Sequence, residues 1–276
     1  MVISDKGGIM MNKKRRRDFG GLALLVGVLW LTGCTATYQG VVRPEPKLSI
    51  LSPDLSDLSE QKMETYLKAK VQPVFPSTLA VTKVKIPYYE YGAEYRYGQR
   101  HPEIVVVENI QGDEAEGWQK LTELKFPDGR PIIEDVHFLS PMLVEGLPTL
   151  KKLRDAAALV HAPMLLVYIQ QDDTGRGYNN AAIAYWTLVG MLFVPGNTIG
   201  AYSTCQAVLI DTKTGYIMAT AQSDDMREEK TMIWSVKSSQ SRIRAMARYQ
   251  SIERIQQNCQ KAIYRMAGLS GQVQGR

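Results

Sequence analysis

The side chains able to do chemistry in this 276-residue chain are few and scattered. His101, His137 and His161 stand apart, and no HExxH pair or cysteine cluster at zinc-ligand spacing accompanies them. Asp172 with Asp173 and Asp224 with Asp225 pair carboxylates of the kind used in general acid–base work. Each pair also falls just beyond an apolar run, where the solvated end of a strand would place its acids. Ser270 sits in Gly268-Leu269-Ser270-Gly271, which lacks the spacing of a nucleophile elbow and follows a predicted helix instead of a strand. The glycines at 175 and 177 lack the following Lys-Ser/Thr of a phosphate-cradling loop. These residues lead us to expect no catalytic centre, no metal and no cofactor. The enzymatic alternative is a hydrolase using an unrecognised carboxylate or histidine site.

The residue with the most definite chemistry is Cys34, which closes Leu31-Thr32-Gly33-Cys34. Lys13, Lys14, Arg15, Arg16 and Arg17 form a basic region before it, and 19–31 form an apolar run too short to remain as a spanning helix. Met11 alone opens a complete segment of this kind. The arrangement resembles the lipobox of bacterial lipoproteins. That resemblance implies removal of 1–33 and acylation of Cys34 on its sulfur and amine, a multi-chain anchor to the membrane. Thr35 is not the aspartate that retains enteric lipoproteins at the inner membrane, so the expected location is the outer membrane, facing the periplasm.

The formal charge of +5 is concentrated in that leader. Residues 1–33 hold six of the 33 lysines and arginines and two of the 28 acids, leaving 27 positive against 26 negative, near +1. A nucleic-acid partner is therefore not expected. Beyond Cys34 no apolar run reaches the roughly 18–20 residues of a transmembrane helix. Cys205 and Cys259 then remain in an oxidising compartment, where a disulfide between them and two reduced, buried thiols are alternative readings.

The elements that must carry these residues begin after a proline-bearing tether over 34–54. Asp57 and Glu60 have capping-box spacing, with Met63, Tyr66, Leu67 and Val71 on one face, before Pro73 and Pro76 end the helix. Strands are expected over 79–86, 132–139, 164–169, 203–210 and 216–221, the last two joined by a turn at Gly215. Helices are expected after Pro148 and Thr149 and over 239–268, the latter with Ala245, Tyr249, Ile252, Ile255, Cys259, Ile263 and Met266 as its apolar stripe. The region 87–131, with Tyr88, Tyr89, Tyr91, Tyr95 and Tyr97, reads as an elaboration. The sum is an α+β fold, helices packed on a mixed, largely antiparallel sheet, as a single domain over 55–268 with an apolar insertion between core strands and a tail at 269–276.

From Met164 through the hairpin the chain resembles the rhombotarget-type lipoproteins of proteobacteria. Ala184-Tyr185-Trp186-Thr187-Leu188-Val189-Gly190 followed by Val194-Pro195-Gly196-Asn197 carries the resemblance. In outline the domain resembles the periplasmic α/β domain of the curli-secretion-channel lipoprotein and the TolB N-terminal domain. The tail, ending GLSGQVQGR, has no apolar, basic-ended sorting segment, so rhomboid-type processing is not expected. The position of the apolar insertion 181–194 matches that of the curli channel's membrane-inserting hairpin, but its near-continuous apolarity lacks the alternation of a barrel strand.

Three readings of 181–194 stand: a buried core element, a surface for lipid or a protein partner, and a barrel hairpin. Tyr185, Trp186, Leu188, Phe193 and Pro195 form the candidate interaction surface. The tyrosine-rich patch reads either as edge packing or as a stacking surface for glycan or peptide. The basic face of the last helix (Arg242, Arg244, Arg248, Arg254, Lys261, Arg265) reads as solvated or as facing anionic headgroups. The expected function is a lipid-anchored, non-enzymatic protein of the envelope that binds or assembles another component, its oligomeric state open. The alternatives are the hydrolase and an oligomeric membrane-inserting lipoprotein.

Overall fold

The computed structural model describes residues 73–85, 106–144 and 146–269, together with Lys68. The leader, Cys34, the tether, the helix expected over 57–71 apart from Lys68, the tyrosine patch, His101 and the tail from 270 lie outside the described residues. Four helices and six strands follow one another as β1 (Ser77–Lys85), β2 (Val106–Glu108), α1 (Asp113–Gln119), β3 (Ile133–Phe138), α2 (Leu150–Leu159), β4 (Met164–Tyr178), α3 (Leu188–Phe193), β5 (Asn197–Asp211), β6 (Ile217–Thr231) and α4 (Val236–Met266). The strands form one mixed sheet in the order β2-β1-β4-β5-β6, with β3 also on β1. β1 runs parallel to β3 and β4, whereas the long β4–β5 and β5–β6 ladders are antiparallel. This is the expected α+β architecture with an insertion between two core strands.

Helices cover both faces of the sheet. On one, α1 and α4 pack Trp118, Ile255 and Ile263 against Leu79, Val81 and Leu166; on the other, α2 packs Leu153 and Ala157 against Ala80, Leu165 and Val167. Alternation along β1 and β4 produces this division, because successive side chains point to opposite faces. Part of the region read as an elaboration becomes α1, whose Asp113, Glu114 and Glu116 suit the positive end of a helix and whose Trp118 is 0 % exposed. The Thr149 hydroxyl caps α2 by accepting from Lys152 N at 3.3 Å.

β4, β5 and β6 each run for 15 residues, far beyond the apolar runs expected at 164–169, 203–210 and 216–221. Each therefore spans about 50 Å at 3.3 Å per residue. α4, with 31 residues, is about 46 Å long and lies along them from end to end. Its inward line is Val236, Ser239, Ile243, Ala247, Ser251, Ile255 and Cys259, spaced three and then four apart. This corrects the expected stripe in its first half, since Ala245 and Tyr249 are exposed. α4 also reaches over β6, an outer strand of the described sheet: Arg254 Nη1 donates to Asp224 O at 2.7 Å and Asn258 Nδ2 to Gln222 O at 2.9 Å.

Candidate functional site

Under the middle of α4 the sheet turns polar. Asp172, Ser203 and Asp225 stand in one row across β4, β5 and β6, with Gln170, Cys205 and Ser223 in the next. Both aspartates sit mid-strand and not at the expected strand ends. The Ser203 hydroxyl donates to Asp172 Oδ1 at 2.8 Å and lies 2.7 Å from Ser251 Oγ, while Ser223 Oγ donates to Ser251 O at 2.6 Å. Arg248 Nε donates to Asp172 Oδ2 at 2.9 Å, and Asp225, only 6 % exposed, is bonded by Arg227 at 2.6 Å and Arg254 at 3.2 Å. These carboxylates are engaged by guanidinium groups, and the row joins helix to sheet.

The neighbouring residues of each pair take other roles: Asp173 Oδ1 accepts from Thr174 N at 2.8 Å, and Asp224 Oδ2 from the Tyr202 hydroxyl at 3.2 Å. His137 lies 3.6 Å from Asp135, and His161 holds a positive φ of 55° just past α2. Among the described residues no three His, Cys, Asp or Glu side chains gather as metal ligands would.

Cys205 and Cys259 share the layer beneath α4, yet both are free. Cys205 Sγ sits 3.5 Å from Ser251 Oγ, and Cys259 stands eight residues further along the helix, about 12 Å of axis. Of the two readings, the structure holds the pair of reduced, buried thiols. Burial pushes each thiol up to about 12, so both stay protonated.

A second buried polar node was not foreseen. Lys83, 6 % exposed, donates to both Glu114 oxygens at 3.0 and 2.9 Å, and the Tyr168 hydroxyl donates to Glu114 Oε1 at 2.7 Å. Burial, reinforced by the Glu114 charge, holds the Tyr168 phenol above its ordinary pKa. Lys83 lies in the strand expected over 79–86, and its partner Glu114 lies in the region read as an elaboration.

The basic face of α4 is not simply solvated. Arg242 bonds Glu229, Arg244 donates to Thr174 at 2.9 Å, and Arg248 and Arg254 clamp the aspartate row. Four guanidinium groups thus tie the helix to two strands, β4 and β6, along its length.

The insertion lies at the far end of the long hairpin, outside the core. It folds as a 3-10 helix, Asn180–Trp186, followed by α3, so neither a core strand nor a barrel strand forms. Asn179 opens it by accepting from Ala181 N at 2.9 Å and donating to Pro195 O at 2.8 Å. Half-buried Tyr185 closes it, its hydroxyl accepting from Gly196 N at 2.8 Å and Asn197 Nδ2 at 2.9 Å. A Cβ at Gly196 would fall 2.6 Å from both the Ala182 Cα and the Tyr185 ring. Of the expected interaction surface, Tyr185 is therefore a clasp, Phe193 is 70 % exposed and Pro195 is exposed, with Trp186 and Leu188 on the helices between them.

Met191 and Leu192 join Phe193 at the surface. Register places Tyr178 and Thr231 beside Asn197, so exposed Tyr178 and the Met232–Trp234 corner, with Trp234 53 % exposed, crown the same end. Sequence reading passed over Trp234 because it stands alone between a charged strand and a helix. A shallow groove of about 460 Å³, lined by Pro195, Lys230, Met232, Ser238 and Arg242 among others, runs from this corner to the start of α4.

No known protein family and no curated protein matches the chain. Among solved structures, a candidate lipoprotein from Caulobacter crescentus CB15 aligns at 15 % identity over 43 % of this chain and 82 % of its own, with a TM-score of 0.25. A PelC dodecamer from Paraburkholderia phytofirmans aligns at 12 % identity over 66 % of this chain and 94 % of its own, with a TM-score of 0.27. At these values function must be argued from the chain's own residues.

Proposed function

We propose that this chain is a lipid-anchored protein of the bacterial envelope, held by acyl chains on Cys34 at the periplasmic face of the outer membrane, and that it works by binding or assembly. The tetrapeptide Leu31-Thr32-Gly33-Cys34, behind its basic and apolar runs, carries the reading. The geometry supports a contact role. The carboxylates best suited to acid–base work are bonded to arginines inside the helix–sheet interface, while the surface presents an ordered apolar tip.

The test is metabolic labelling with palmitate in cells producing the full chain, followed by membrane fractionation. Acylated protein in the outer-membrane fraction is expected, with Cys34→Ser leaving it unlabelled. Wild-type protein that takes up no label would end the proposal.

A further inference from the structure

We infer that the hairpin tip seats in the interface of an anionic phospholipid bilayer, giving the protein a second membrane contact besides Cys34. The inference rests on the anchored reading for which membrane is met, and on the tip's own chemistry for the contact. Three separate segments bring large apolar side chains to this one end: Tyr178 closes β4, Met191 to Phe193 close α3, and Trp234 precedes α4. Aromatic residues with a polar edge are those enriched at headgroup depth.

The charge at this end complements an anionic surface. No Asp or Glu occurs from 174 to 210. Around the tip, Arg176, Lys230, Lys237 and Arg242 stand against Glu228 and Glu229. Glu229 is bonded to Arg242, and Lys230 and Lys237 are exposed. Basic residues beside a shallow apolar wedge are what binds such a surface reversibly.

The clasp through Tyr185 and Gly196 holds the wedge in shape before it meets a membrane, which lowers the ordering cost of binding. Reach is sufficient as well. β1 starts beside the Met164 end of β4, about 46 Å from the tip, and the 43 residues from Cys34 to Ser77 span up to about 140 Å when extended. The anchor and the tip can therefore share one bilayer.

The experiment uses acylated full-length protein in vesicles of phosphatidylethanolamine and phosphatidylglycerol, with a bimane label on Phe193→Cys and, for comparison, on Lys213→Cys at the opposite turn. We expect brominated acyl chains to quench the label at 193, and iodide to quench it at least threefold less than at 213. Equal access of iodide to both positions overturns the inference. So does a label at 193 that lipid leaves unquenched while a photo-crosslinker there captures a protein in cells, which would assign the tip to a protein partner.

Cys34→Ser protein, freed of 1–33 by a protease site placed before residue 34, separates the two readings. It should still sediment with phosphatidylglycerol vesicles and lose at least tenfold in that binding with Leu192→Ser/Phe193→Ser. If palmitate labelling fails but this binding holds, the anchor reading falls and the tip stands. If the tip variant binds vesicles as well as its parent, the tip falls whatever the state of Cys34.

Discussion

Lys83 is a cation where the pattern of β1 asks for an apolar side chain, and its surroundings state the terms on which it is tolerated. Glu114 supplies both oxygens, and Glu108 lies 3.6 Å away. Glu114→Ala should cost about 3 kcal/mol in urea denaturation, the low end for a broken buried pair because Glu108 retains part of the attraction. The exposed Lys85–Glu108 pair should contribute under about 1 kcal/mol. The two thiols give a pH dependence with a definite sign. Their folded pKa lies above the unfolded value near 9, so the neutral form is favoured and their contribution is complete below pH 9. It is lost as pH rises from about 9 to 12, and Tyr168 steepens the loss above pH 10. Urea midpoints at pH 8, 10 and 11 should show this, and Cys205→Ala/Cys259→Ala should flatten it.

At the scale of elements, the tip depends on one missing side chain. Gly196→Ala sets a Cβ against the backbone of Ala182 and should cost about 1–3 kcal/mol, with faster hydrogen exchange of the Ala181 and Ala182 amides and little change at Trp118. What was legible in the sequence follows from the same local logic. Continuous apolar runs identified the buried halves of β4 and β5, and Thr149 marked the start of α2, because burial and capping leave direct traces. The outer halves were illegible: Gln-Gln-Asp-Asp-Thr-Gly-Arg-Gly carries no apolar alternation, and its strand is held by backbone pairing and by side chains from α4. The first half of the inward line of α4 escaped for a related reason. Ser251 is buried because Ser203 and Ser223 satisfy its polar groups, and no scale of hydrophobicity places a serine there. The apolar tip was legible as a segment, since its apolarity is continuous, but not in its full extent, since Tyr178 and Trp234 join it only through sheet register.

For the whole molecule, strands of about 50 Å and a helix of about 46 Å make a stiff arm, with the two-sided core at one end and the apolar tip at the other. The four arginine clamps spread along that arm tie the helix to β4 and β6. The capped outer carbonyls of β6 have a consequence of their own. An outer strand of 15 residues is a template for pairing with its own kind, and proteins confined to a surface meet one another far more often than proteins in bulk. Arg254 and Asn258, by occupying the carbonyls of Asp224 and Gln222, interrupt the ladder a neighbouring copy would need. Arg254→Ala/Asn258→Ala should leave the fold intact by circular dichroism yet form thioflavin-positive aggregates on vesicles at densities where the wild type stays dispersed. A helix that serves as a structural brace would thus also keep a crowded membrane from turning its residents into fibres.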